Sequence, residues 1–190
     1  MTEQRYRLAV IVGSTREGRF ADRIVAWFLD QATPRTDIEL DLIDLAEVGL
    51  PAVHRSGPDP AVEEFNRRVE AADAFVVVTP EYNHGYPAAV KFALDSVGTG
   101  FRGKPVGFVS YGGVSGGLRA VEQLRLVFVE LHAAPIRESV SFALAWNQFD
   151  DDGAHRQPET ANAAAKALLD QLSWWALGLK EARARRPYGG

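Results

Sequence analysis

A chain of 190 residues, 46% apolar and 24% charged, is long enough to bury one core and is expected to fold as a single domain over residues 1–190. Its net charge of -4 and pI of 5.6 speak against a nucleic-acid surface, which is normally basic. With no cysteine, thiol nucleophiles, disulfides, iron–sulfur clusters and thiolate metal sites are all excluded. No run approaches the ~20 apolar residues of a membrane span. The N-terminus also lacks the apolar core of a secretory signal. A cytoplasmic location with neither membrane nor nucleic acid as partner is therefore expected.

Leu8 to Val12 is a short apolar run closed by Gly13-Ser14, which reads as a first buried strand. From Phe20 to Gln31, Ile24, Val25, Phe28 and Leu29 recur at the spacing of one buried helix face. Ile38 to Leu45 alternates apolar and acidic residues, the pattern of a half-exposed strand near a sheet edge. Asp59-Pro60 opens a helix through Ala72, with proline at the first helical position. Ala74 to Thr79 is a third strand, followed by a helix over Tyr86 to Val97. A fourth strand covers Val106 to Ser110, and the next helix reaches about Leu131, placing His132 in its body. Ile136 to Val140 reads as strand five. Phe142 to Pro158 reads as a solvated loop with a turn at Asp150 to Gly153, the alternative being a lid or partner-contacting segment. The last helix spans Thr160 to Ala184, its apolar side marked by Leu168, Leu169, Leu172, Trp175 and Leu179. Alternating strands and helices imply right-handed parallel βαβ units, and five of each fit the flavodoxin-like order 2-1-3-4-5. That is an α/β three-layer sandwich with helices on both faces of the sheet. The loops after strands 1, 3 and 4 should then converge on one ligand crevice.

The first of these loops, Gly13-Ser14-Thr15-Arg16-Glu17-Gly18-Arg19-Phe20, offers amides, hydroxyls and two guanidinium groups. It suits a phosphate at a helix N-terminus, but an ordinary βα turn with a serine cap has the same composition. It matches neither a Walker A motif nor the Gly-x-Gly-x-x-Gly dinucleotide fingerprint, so Asp44 is read as a solvated or turn residue and not as a ribose ligand. The second loop, Pro80-Glu81-Tyr82-Asn83-His84-Gly85, could grip a flat, polar-edged ring with backbone groups and a tyrosine face. It could equally be a capping loop in which Asn83 caps the following helix. His84 has no visible carboxylate partner and is read as a loop hydrogen bonder. In the third loop, Tyr111-Gly112-Gly113-Val114-Ser115-Gly116-Gly117, four glycines allow close backbone approach to a ligand. Ser115 lacks the setting of a nucleophile elbow, which argues against a serine hydrolase.

Taken together, Gly13-Ser14-Thr15-Arg16, Thr79-Pro80-Glu81-Tyr82-Asn83-His84, Pro87 through Lys91 to Leu94-Asp95, and Gly112-Gly113 with Gly116-Gly117-Leu118-Arg119-Ala120 resemble the NADPH-dependent FMN reductase family of the flavodoxin-like superfamily. The ordered set covers roughly residues 8 to 140. The resemblance implies FMN as cofactor, NADPH or NADH as co-substrate, and a quinone-like, azo or other small electron acceptor. It implies that Ser14, Arg16 and neighbouring amides, with Arg19 and Phe20 of the same loop, hold the FMN phosphate end. It also implies that Pro80, Glu81, Tyr82 and Asn83 line the isoalloxazine ring and that Gly112, Gly113 and Ser115 cover its pyrimidine side. Many family members carry serine where this chain has Arg19, which could contact the phosphate or point to solvent.

With the redox chemistry carried by FMN, a ping-pong hydride transfer needs no protein acid or base. The rival readings are a flavodoxin-like electron carrier without turnover and a reductase that supplies reduced flavin to a monooxygenase. A homodimer or homotetramer is a further implication of the resemblance. Trp174, Trp175, Phe142, Trp146 and Phe149 are aromatic residues that either core or interface could use.

Overall fold

The computed structural model describes residues 5–54 and 56–189. The chain runs β1 (Tyr6–Val12), α1 (Ala21–Ala32), β2 (Ile38–Asp44), α2 (Pro60–Ala71), β3 (Ala74–Pro80) and α3 (Ala88–Asp95). It continues with β4 (Pro105–Gly112), α4 (Leu118–Glu130), β5 (Ala134–Ala143), a single 3-10 turn at Ala145–Asn147 and α5 (Pro158–Arg185). The five strands pair in parallel in the order β2-β1-β3-β4-β5, the expected flavodoxin-like order. No helix among the described residues is long and apolar enough to cross a membrane.

Every residue of β3 is buried because helices cover both faces of a parallel sheet. Strand periodicity divides the core. Leu8, Val10, Val12, Val76 and Val78 face α1 and α5, meeting Ile24, Phe28, Leu168, Leu169 and Leu172. Ala9, Ile11, Phe75 and Val77 face the other helices, meeting Phe65, Val69, Val90, Leu94, Leu124 and Phe128. Each fully buried side chain of this size stabilises the fold by about 1.5–3 kcal/mol. α2 starts where the sequence places it: the Asp59 carboxylate accepts from the Ala61 amide at 3.0 Å, and Pro60 sits at the first turn.

Sheet register fixes the working edge. Val12 pairs with Val78, Pro80 with Tyr111, and Gly112 with Ala143. The chain therefore leaves β1, β3, β4 and β5 side by side at the carboxyl edge, flanking the switch point between β1 and β3.

Several expectations are corrected. β5 extends from Ala134 to Ala143, longer than its apolar centre, and carries a register irregularity opposite Val106 to Phe108. α4 ends at Glu130, so His132 lies beyond the helix in a left-handed conformation with φ 59°. Trp175 is 36% exposed, and the buried side of α5 at that level is completed by Ser173 and Ala176. Nor is the 142–158 segment a solvated loop throughout. Phe142 and Phe149 are buried, and Phe149 bridges to His155 in a small hairpin closed by the Arg156 amide on the Gln148 carbonyl at 2.8 Å.

Candidate functional site

The loop after β1 reaches α1 without a side-chain cap: Phe20 occupies the N-cap position and offers no acceptor. Among the described residues, the amides of Ser14, Thr15 and Arg16 donate to no protein acceptor. Unpaired amides beside a positive helix end are what an anion replaces water on. The two arginines of this loop have different fates. Arg19 is held inside the protein: its Nη1 donates to the Ser14 carbonyl at 2.5 Å and to Asp44 Oδ1 at 2.7 Å, its Nη2 to Asp44 Oδ2, and its Nε to Asp22 Oδ1 at 2.8 Å. The hydrogen bonds that Arg19 donates to Asp44 lead in pushing its pKa above the usual arginine value. Asp44 is thus not solvated, with a side chain 12% exposed. Burial opposes its ionisation, but the Arg19 and Ala46 hydrogen bonds still hold its carboxyl below the usual range. The turn part of its reading holds, through the Ala46 amide at 2.9 Å. Arg16 instead is exposed and forms no ion pair among the described residues, and its guanidinium carbon lies 3.6 Å from the Tyr82 ring centroid.

Tyr82 joins the first loop to the second. Its hydroxyl hydrogen-bonds the fully buried Ser14 hydroxyl at 2.8 Å while Arg16 covers its face. The Ser14 side chain is therefore committed within the protein. Beyond Tyr82 the chain turns tightly. Tyr82 and Gly85 exchange backbone hydrogen bonds of 2.9 and 3.1 Å, with Asn83 and His84 at φ 49° and 75° between them. Two central residues in the left-handed region are the mark of a primed turn, for which asparagine is well suited. Asn83 consequently does not cap α3, whose N-cap is Pro87. His84 acts as a hydrogen bonder through its carbonyl, which accepts from Gln123 Nε2 at 2.8 Å.

Glu81 locks the second loop to the third. Its amide donates to the Tyr111 carbonyl at 3.0 Å. Its carboxylate, only 4% exposed, accepts from the Arg119 amide at 3.1 Å and from Arg119 Nε at 2.6 Å. Burial disfavours the charge, but hydrogen bonds from Ser115 and Arg119 outweigh it and hold the carboxyl below its ordinary range. α4, with Gly117 at its N-cap and no side-chain cap of its own, is capped from across the site by Glu81. The close approach requires glycine at 117, where φ is 86° and a Cβ would stand 2.7 Å from Ser110 Cβ. Gly112 and Gly113 lead out of β4, and the Gly113 carbonyl accepts from the Leu144 amide at 2.8 Å.

Behind the loops, Phe20 packs against Tyr111 and Phe149 with ring centroids 6.2 and 5.7 Å away. The Tyr111 hydroxyl is buried with no hydrogen-bond partner, and burial pushes its pKa up. Hence the structure brings Ser14, Arg16, Phe20, Pro80, Glu81, Tyr82, Asn83, Gly112, Gly113 and Ser115 to one sheet edge. It ties Arg19 to the end of β2. Sequence reasoning missed the roles of Arg119 and Gln123, which latch the second loop, and of Leu144, which latches the third. It also missed a cleft of about 490 Å³ beside Thr15, lined by Leu45, Leu50, Pro51, Ala88 and Phe92 among others. His54 stacks on Phe92 there with centroids 4.0 Å apart. No group of three or more histidine, cysteine or acidic side chains fit to hold a metal occurs among the described residues.

Open loop amides, an α1 without a side-chain cap and Arg16, free of ion pairs among the described residues, form a donor set that fits a phosphate joined to a flat polar ring. Comparison with known proteins agrees. The sequence model of the family described as NADPH-dependent FMN reductase matches residues 6–147. An NAD(P)H-dependent FMN reductase of Schizosaccharomyces pombe is 36% identical over 143 residues, covering 68% of this chain and 70% of that protein. A quinone reductase of Pseudomonas putida is 30% identical over 183 residues, covering 90% and 95%. Among solved structures, the flavoenzyme NAD(P)H:acceptor oxidoreductase FerB of Paracoccus denitrificans superposes with a TM-score of 0.75 at 22% identity, covering 91% of this chain and 98% of that one.

Proposed function

Since the chain belongs to the NADPH-dependent FMN reductase family, we propose that its carboxyl sheet edge holds FMN and that the protein is an NAD(P)H-dependent oxidoreductase reducing a small quinone-like or azo acceptor. Bound FMN would supply the redox chemistry, accepting hydride from NADPH or NADH and passing it on in two half-reactions, a ping-pong order. The protein's part is to bind, orient and exclude water. On this reading the amides of Ser14, Thr15 and Arg16 and the Arg16 guanidinium hold the phosphate. Tyr82 backs that cradle through Ser14, while the Pro80–Asn83 backbone and the Gly112, Gly113 and Ser115 loop border the ring. Arg19 positions the first loop from behind through Asp44, and Phe20 with Tyr111 packs beneath it.

The observation that carries the proposal is the anion cradle itself: loop amides at Ser14 to Arg16 without a protein acceptor, an Arg16 without an ion pair among the described residues and an α1 start without a side-chain cap, beside two loops fastened to each other. The test is direct. Purified protein is expected to be yellow, to release FMN on denaturation, and to turn over NADPH with a quinone. Stoichiometric bleaching of flavin without turnover would make it an electron carrier, release of reduced FMN to solvent would make it a supplier to a monooxygenase, and failure to bind added FMN would sink the proposal.

We extend the reading to a cytoplasmic homodimer or homotetramer. Leu126 and Val129 on α4 are 75% and 61% exposed and Trp174 on α5 is 71% exposed, apolar surface that a second copy could cover. Light scattering that returns a monomer at micromolar concentration would remove this part alone.

A further inference from the structure

We propose that Glu81 and Arg119 form a charge-balanced pair in which each member keeps the other from shifting the reduction potential of FMN at this site, beyond fastening its loops; the inference rests on the FMN reading above. Glu81 lies between Pro80 and Tyr82 in the second loop, and Arg119 is the second residue of α4, two positions after the last glycine of the third. A carboxylate 4% exposed is far from solvent screening, while the guanidinium, 48% exposed, meets it at 2.5 Å through Nη2. The ion pair thus bridges the two loops assigned to the ring.

Other charges at this edge are accounted for elsewhere. Arg19 is neutralised by Asp44 and Asp22, and Arg16 lies on Tyr82 in the first loop. The Arg16 charge is common to every variant below, so differences among them report the charges of Glu81 and Arg119. Hydride transfer from NADPH moves two electrons and one proton to the ring, and NADP+ departs. The ring gains a net negative charge. A lone carboxylate nearby would oppose that gain, a lone guanidinium would favour it, and the intact pair does neither.

The two members of the pair make opposite predictions. Arg119→Gln leaves Glu81 ionised and still held by the residue 119 amide and Ser115, so the potential should fall. Glu81→Gln keeps an acceptor for that amide but strands the guanidinium, so the potential should rise. In each case the ratio of affinities for oxidised and reduced FMN should change on the order of tenfold, in opposite senses. The double variant and Arg119→Lys, which retains the charge without the fork, should both return close to wild type.

The experiment is a potential measurement on FMN-loaded protein equilibrated with a reference dye, alongside titration of apo protein with oxidised FMN. Shifts of opposite sign that cancel in the double variant support the proposal. Shifts of the same sign, or weaker FMN binding in both variants with no shift, would show a purely mechanical latch and overturn it. Failure of Arg119→Lys to restore the potential would also overturn it. Should the unaltered chain bind no FMN, the FMN reading falls and takes this inference with it, an outcome distinguishable from failure of the pair alone.

Discussion

Replacing Arg16 with alanine probes the anion cradle, and the same change at Arg19 supplies its internal control. Arg16 has no ion pair among the described residues and rests 3.6 Å over the Tyr82 ring, so its truncation strands no buried charge. A hydrogen bond to a charged group contributes about 1.5–3 kcal/mol, and an exposed side chain belongs at the lower end. A loss of about 1.5 kcal/mol is roughly a tenfold rise in the FMN dissociation constant. Riboflavin, which has no phosphate, should be affected by less than about twofold. Arg19 is different, because its side chain and that of Asp44 are 13% and 12% exposed and are bound to each other. Breaking a fully buried pair costs about 3–5 kcal/mol, and some solvent access reduces this to about 2 kcal/mol here. Arg19→Ala should thus lower apo-protein stability while leaving FMN affinity within about threefold under folding conditions. Fluorescence titration with FMN and riboflavin, paired with urea unfolding of the apo protein, separates the two effects. Equal weakening of FMN and riboflavin by Arg16→Ala, or no weakening of FMN, would refute the cradle. Weakened FMN binding with unchanged stability in Arg19→Ala would mean that Arg19 leaves Asp44 to hold the phosphate.

Lys104 is buried, donating to the Val69 and Glu70 carbonyls at the end of α2, and burial with Arg183 nearby lowers its pKa from 10.5 to about 8. Below pH 8 both folded and unfolded states hold the proton and the cost is complete, whereas between pH 8 and 10.5 the unfolded state holds more protons. Urea stability should therefore rise by up to about 2 kcal/mol from pH 7.5 to 9.5, and Lys104→Met should flatten that rise. A falling midpoint over this range contradicts the sign; tyrosines raised by burial, such as Tyr6 near 12, act only at higher pH. His84→Gly should relieve the φ of 75° and raise stability by about 1 kcal/mol with turnover retained, and loss of turnover would restore His84 as a catalytic candidate. Gly117→Ala should lower stability by more than about 2 kcal/mol, since its Cβ meets Ser110 and its φ is 86°. An unchanged melting temperature would show that the third loop can move aside.

The sheet was legible because both of its faces are buried: Ala74 to Thr79 is continuously apolar up to its last residue and Leu8 to Val12 wholly so, while the edge strands β2 and β5 mix buried and exposed positions. Loop roles were less legible where one residue type serves two geometries. Asparagine favours both helix caps and left-handed turns, so Asn83 could be placed only by the Tyr82–Gly85 hydrogen bonds. Arg16 and Arg19 are chemically identical in one loop. Asp44, which captures only Arg19, lies 25 residues further on and approaches only when β1 and β2 pair. The Glu81–Arg119 contact spans 38 residues and depends on the β3–β4 register. Composition likewise could not separate Phe149, buried under Phe20, from the exposed Trp146 three residues earlier.

These contacts explain why a sheet edge rich in polar side chains presents so few of them to a ligand. The Ser14 hydroxyl is used on Tyr82, Arg19 on Asp44, Glu81 on Arg119, and the His84 carbonyl on Gln123. What remains outward is largely backbone, together with Arg16. Side chains that fasten one another fix the loop amides before a ligand arrives, so their dipoles need little reorganisation when charge develops on a bound ring. A site of this kind gains nothing from a free acid or base. Its performance depends on the latches, and Arg119, outside every loop that the residue types had pointed to, is the latch whose loss would change the charge of the site as well as its shape.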